Sequence, residues 1–137
     1  MSEKRIDNTD LQQLLLHMSP ELLDKQYVFL SFADAVYGDH PELKPMAVMQ
    51  ESEGMTFVVP KDLAISNKHH YDGVFRCITL TVHSSLEAVG LTAAFAKQLT
   101  GAGISANVIA GFYHDHIFVP VADADNAVAA LLALTGR

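Results

Sequence analysis

From Phe75 to Val82 the side chains take turns, apolar Ile78, Leu80 and Val82 alternating with Cys77, Thr79 and Thr81, the two-residue period of a half-buried strand. The period then lengthens. Ala88, Leu91, Phe95 and Leu99 recur at helical spacing, Ser84 and Glu87 form a capping box at the start, and Gly101 and Gly103 offer an end. Ile104 to Ala110 and Asp115 to Val121 read as two strands of a hairpin turned by Gly111-Phe112-Tyr113-His114. Asp123 is placed to cap a last helix with Val128, Leu131 and Leu132 on its buried stripe.

The first half carries a weaker version of the same order. Thr9 and Gln12 make a capping box, and Leu11, Leu14, Leu15 and Met18 fall on one stripe of a short leading helix. Tyr27 to Ala33 is rich in aromatic and β-branched residues and predicts a strand, while Gly38 to Pro45 predicts a loop or single turn. Ala47 to Glu51 and Met55 to Val59 follow as strands around Ser52-Glu53-Gly54, and Pro60 opens a short helix ending near Ser66.

Residues 27–66 therefore run strand, loop, strand, strand, helix, and residues 75–135 run strand, helix, strand, strand, helix. Thr56-Phe57-Val58-Val59-Pro60 and Ile117-Phe118-Val119-Pro120 precede the closing helix of each half. The expected fold class is α+β, ferredoxin-like (βαββαβ), built as a tandem repeat with an N-terminal degenerate unit over residues 1–70 and a C-terminal unit over 71–137. The second half lacks its last strand, and nothing after Arg137 supplies one, so the partner for that edge is expected from the other half.

The stretch from Ile78 through His83-Ser84-Ser85 to Gly90-Leu91 resembles the first strand and helix of an ACT domain. Gly103 to Pro120, containing Gly111-Phe112-Tyr113-His114-Asp115-His116, resembles the signature of short bacterial tandem-ACT proteins. Such proteins are similar to the allosteric region of aspartokinases, where two ACT units pack side by side and amino acids bind between them. The resemblance implies a regulatory or sensor protein with no catalytic domain attached, binding a small molecule of the amino acid class, without a cofactor, as a homo-oligomer with a dimer foremost. The first repeat departs from the pattern because no real helix follows its first strand.

Strand parity sends Ile78, Leu80, Val82, Ala106 and Val108 towards the helices and leaves Cys77, Thr79, Thr81, Asn107 and Ile109 on the opposite, half-polar face. His83, Ser84, Ser85 and Glu87 stand at a strand end and a helix start, where free backbone N–H groups favour a carboxylate. Gly90, expected inside the first turns of that helix, admits either a close ligand or a packed neighbour. Asp115 is a candidate for the ligand ammonium, or equally for stabilising its own turn. Asn107, Ile109, Gly111, Tyr113, His114 and His116 complete the candidate ligand-binding set. His114 and His116 flank Asp115 with a spacing that admits a divalent metal, but they supply two imidazole ligands where a site needs at least a third.

Composition narrows the class further. Hydrophobic residues make up 50% and charged residues 18% of 137, the balance of a packed globule. A net charge of −7 with no Lys/Arg run argues against nucleic acid as partner, and the longest apolar run, Ala127 to Leu134, is too short to span a bilayer. No signal-like stretch opens the chain, so the expected location is the cytoplasm and no membrane partner is expected. Cys77 is the sole cysteine, excluding an intrachain disulfide, and its apolar strand setting reads as core more than nucleophile. Neither an evident nucleophile–base pair nor a phosphate loop is present, and catalysis is not expected; the rival readings are a metal-dependent enzyme at His114-Asp115-His116 and a structural association module.

Overall fold

A computed structural model of the chain describes residues 8–81 and 90–135. In chain order the elements are α1 (Asn8–His17), β1 (Pro20–Phe32), β2 (Ala47–Glu51), β3 (Gly54–Pro60), α2 (Lys61–Ser66), β4 (Phe75–Leu80), α3 (Leu91–Gly101), β5 (Asn107–Ala110), β6 (Asp115–Pro120) and α4 (Ala124–Leu134). The chain divides into two compact units, a central one of Asp24–Arg76 and a terminal one joining Met1–Leu23 to Cys77–Arg137. It passes from one to the other within β1 and returns within β4. The fold is α+β with antiparallel strands. No helix among the described residues is long and apolar enough to cross a membrane.

In the central unit the strand order is β2-β3-β1, continuing to the start of β4. Leu30 stands opposite Phe57 and Val28 opposite Val59 across the β1–β3 ladder, so the even positions of one strand and the odd positions of the other share a face. That face is buried, with Val28, Leu30, Met55, Phe57 and Val59 in one apolar cluster. The link from β1 to β2 contains no α-helix, only a 3₁₀ turn at Pro41–Leu43. Leu43 from that turn is completely buried and fills part of the space a crossover helix would cover.

In the terminal unit the order is the opening of β1, then β4, β6 and β5. Ile78 and Leu80 of β4 and Ile117 and Val119 of β6 face Leu91, Phe95 and Leu99 of α3. Met18 completes that core at full burial, with Leu11, Leu14 and Leu15 of α1 packed against it. The place beside β4 that the second-half pattern leaves empty is taken by Pro20–Leu23. Ser19 O accepts both the backbone N–H and the hydroxyl of Thr81, each at 2.9 Å, which sets the start of β1 against the end of β4.

Several boundaries differ from the sequence expectation. β1 begins at Pro20 and not at Tyr27, because its opening residues are held by backbone pairing that the polar run Asp24-Lys25-Gln26 does not advertise. β5 begins at Asn107 and not at Ile104, because the Ile104 N–H bonds back to Leu99 O at 3.0 Å and its side chain closes the end of α3 in the core. In α4 the buried positions are Ala124, Ala127 and Leu131, with Val128 and Leu132 only half-buried. Asp123 occupies the N-cap of α4 but makes no side-chain capping bond. Thr9 lies within α1, past the position a capping residue would take. The Ser84/Glu87 capping box falls outside the described residues.

Candidate functional site

The face of the terminal unit turned away from its helices holds the polar chemistry. Thr79, the last position of β4 on that face, is only 7% exposed, and its Oγ1 lies 2.9 Å from His116 Nδ1 on the neighbouring β6. His116 sits opposite Ile109 in the β5–β6 ladder, and Asn107 sits opposite Phe118, so the four share a face as parity requires. Phe118 and Cys77 are fully buried there, Ile109 and His116 are half-buried, and Asn107 is exposed. Val108 points with Ile117 to the helix side but, lying on the outermost strand, remains 37% exposed.

Gly111 to His114 make the four-residue turn of the hairpin, closed by the Gly111 N–H donating to His114 O at 2.9 Å. Gly111 is required there by space. A Cβ at this position would stand 2.9 Å from His114 O and 3.3 Å from His116 Nε2, so the imidazole of His116 lies over ground that a side chain would occupy. Phe112 and Tyr113 project from the tip with their rings 5.0 Å apart and edge to face, both largely exposed.

Burial lowers the pKa of His116 below the ordinary imidazole range; the nearby His114 lowers it further, and Asp115 partly opposes both. His116 is therefore a neutral hydrogen-bonding group at neutral pH, able to donate from one nitrogen and accept at the other. Burial pushes the Cys77 thiol up to about 11, with a hydrogen bond from Thr79 pulling the other way. A thiol held protonated in this way is not a nucleophile.

Of the predicted ligand set, the structure brings Gly111, His114, Asp115, His116 and Ile109 into one hairpin and adds Thr79, which the sequence reading placed on the right face without counting it as a contact. Tyr113 and Asn107 belong to the same hairpin but face solvent. Gly90 is not inside a helix: it is the N-cap of α3 with φ +99°, and its nearest neighbour is the Leu11 side chain, 3.4 Å from where a Cβ would be. His83, Ser84, Ser85 and Glu87 lie outside the described residues. The start of β6 stands beside the end of β4, so the hairpin turn occupies the sheet end from which the chain leaves β4.

The acidic turn at Glu51-Ser52-Glu53 is occupied by local bonds. Thr56 donates its hydroxyl to Glu51, and Ser52 donates to Glu53 at 2.8 Å, which holds the Glu53 carboxyl below its usual range. A group that sequence reasoning did not assemble is His40, Glu42 and His69, whose donor atoms approach one another in the central unit. Residues 40 and 42 are close in sequence, but nothing in the pattern signals that His69 returns to them.

Comparison with known proteins agrees with this architecture. An ACT domain family model matches residues 8–76 and a second ACT domain model matches residues 74–133. No functionally curated protein matches. A Vibrio cholerae protein of unknown function, a possible transport protein, is 47% identical with a TM-score of 0.84, over 93% of this chain and 97% of that one. An Agrobacterium tumefaciens protein superposes with a TM-score of 0.68 at 18% identity, over 86% of this chain and 89% of that one. The regulatory subunit of aspartate kinase from Thermus flavus does so at 0.60 and 12% identity, over 85% and 95%, a likeness of fold. With two tandem family matches that together span residues 8–133, and a close relative aligned over nearly its whole length, the chain belongs to the ACT domain family.

Proposed function

We propose that the protein is a small-molecule sensor that binds an amino acid at the β5–β6 hairpin of its terminal unit and acts by regulation, not catalysis. ACT domains are in general regulatory domains that bind small molecules such as amino acids, which sets the class. The observation that carries the reading is His116, half-buried, kept neutral by its surroundings, tied to Thr79 and seated over the bare Cα of Gly111. A polar group so placed offers a hydrogen-bonding partner to a small polar ligand, and the charge of the neighbouring Asp115 favours an ammonium nearby.

Regulation then follows from population shift: a ligand that prefers one conformation of the hairpin raises that conformation's share, and a second copy of the chain or a separate protein reads it. A homodimer is the partner this reading favours.

The test is thermal denaturation against each of the twenty amino acids. A ligand present at 100 times its Kd stabilises by ~2.7 kcal/mol, and Asp115→Ala and His116→Ala are each expected to remove the shift. No shift with any amino acid, or both variants responding as wild type does, overturns the proposal.

A further inference from the structure

We infer that His40, Glu42 and His69 form a binding site for one divalent transition-metal ion, Zn²⁺ foremost, in the central unit. One donor atom from each side chain comes within 4.8 Å of the other two, and His40 Nδ1 and Glu42 Oε2 are already 3.4 Å apart. In a tetrahedral zinc site with bonds of ~2.0–2.1 Å, donor atoms stand ~3.3 Å from each other, so the His40–Glu42 pair has the separation a shared ion imposes. The remaining closure is a matter of turning side chains that are half-buried or exposed.

Two rigid turns present the donors. His40 precedes the 3₁₀ turn at Pro41–Leu43, whose Leu43 is locked in the apolar core, and the Leu43 N–H bonds back to His40 O at 3.1 Å. His40 itself adopts a left-handed backbone (φ 56°, ψ 46°), a conformation that costs a non-glycine residue ~1–2 kcal/mol. His69 follows α2, where Lys68 is also left-handed and the His69 N–H closes the helix end onto Ala64 O at 2.9 Å. Ala64 is fully buried, so this second turn is anchored in the same core as the first.

The imidazole planes are held as well. Phe32 stacks on His40 with centroids 4.1 Å apart and meets His69 edge to face at 5.1 Å, so one phenyl ring fixes both histidines. Phe57 closes on the His40 ring at 5.5 Å and 90°. The two imidazoles end up perpendicular, 6.1 Å between centroids. Packing alone would account for the rings. Glu42 takes no part in that packing: its exposed carboxylate reaches His40 Nδ1 at 3.4 Å.

Two imidazoles and one carboxylate suit Zn²⁺ and its first-row neighbours, whereas Ca²⁺ and Mg²⁺ seek oxygen ligands throughout. Three protein ligands leave the fourth tetrahedral position for water or a small anionic ligand, the arrangement of a site open to exchange. This inference stands independently of the amino acid proposal, which concerns different residues.

The experiment is calorimetric titration of the full chain, prepared without a histidine tag and stripped with chelator, using Zn²⁺ alone, followed by Co²⁺ titration read by visible absorption. The expected result is one ion per chain and a Co²⁺ spectrum of four-coordinate character. Glu42→Gln keeps the ring packing and is expected to weaken binding by more than the ~10–100-fold that loss of an outer-shell partner costs. His40→Ala with His69→Ala is expected to abolish it, and circular dichroism establishes that the variant is folded; if it is not, Glu42→Gln alone decides. His114→Ala with His116→Ala is expected to bind as wild type does. Absence of stoichiometric uptake, unchanged affinity in Glu42→Gln, or loss of the ion in the His114/His116 variant overturns the assignment.

Discussion

The hydroxyl of Thr79 meets Nδ1 of His116 at 2.9 Å, joining β4 to β6 by side chains in the same place where their backbones pair. Thr79→Val keeps the shape and removes the bond, leaving a half-buried imidazole nitrogen to find water. The expected cost is ~1 kcal/mol, and Thr79→Ser is expected to retain most of the stability. Urea denaturation of the three proteins measures it, and equal midpoints for wild type and Thr79→Val would mean that the bond contributes nothing.

Protonation of His116 opposes folding. Its folded pKa is lowered and the unfolded chain takes up the proton first, so the native state binds fewer protons and stability rises with pH across that interval. The stabilising contribution is complete above the ordinary value of 6.5 and is lost as pH falls through the lower folded value. Tm is therefore expected to drop more steeply below pH ~6.5 in wild type than in His116→Gln. Parallel curves would remove His116 as the cause.

Gly111→Ala places a methyl group 2.9 Å from His114 O and 3.3 Å from His116 Nε2. The first contact is with backbone and cannot be relieved by a rotamer change, so the hairpin must shift, at an expected cost of ~1–3 kcal/mol. The imidazole resonances of His116 in an NMR spectrum are expected to move with it. Wild-type stability together with unmoved resonances would show that the turn has room.

Cys77 is fully buried and its thiol is pushed up to about 11. Alkylation by iodoacetamide at neutral pH is expected to be very slow in the native protein and rapid in denaturant, because only the exposed thiolate reacts. Mass spectrometry at timed intervals reads the difference. Fast labelling without unfolding would contradict the burial.

Leu43 is the side chain through which a short turn replaces a crossover helix in the central unit. Leu43→Ala is expected to destabilise by ~2–5 kcal/mol, the range for a fully buried leucine. A loss under ~1 kcal/mol in chemical denaturation would mean that the surrounding core collapses into the space.

Much of the terminal unit can be read directly from its residues. Cys77 to Leu80 alternate in the sequence and alternate in space, with Ile78 and Leu80 among the helices and Thr79 on the face that holds His116. Phe95 and Leu99 lie where their spacing puts them. The pattern fails where backbone does the work. Pro20 to Gln26 shows no alternation, yet it is strand, because main-chain bonds such as Thr81 N–H to Ser19 O form regardless of side-chain type. Gly90 and Ile104 depart from the pattern for a related reason: helix ends are decided by local dihedrals and by bonds to the preceding turn, and apolar spacing does not encode them.

The sequence alone determined the order of strands and helices, the inward side of each, and the likeness between the two halves, since all of these arise from neighbours within a few residues and from the fixed periods of helix and strand. Only the tertiary structure decided that the opening of β1 lies beside β4, that Thr79 meets His116, and that His69 returns across 27 positions to Glu42 and to the same phenyl ring as His40. Those contacts depend on where turns send the chain, and a change of a few dihedrals at residues such as His40 and Lys68 redirects everything that follows without leaving a mark on the hydrophobic pattern.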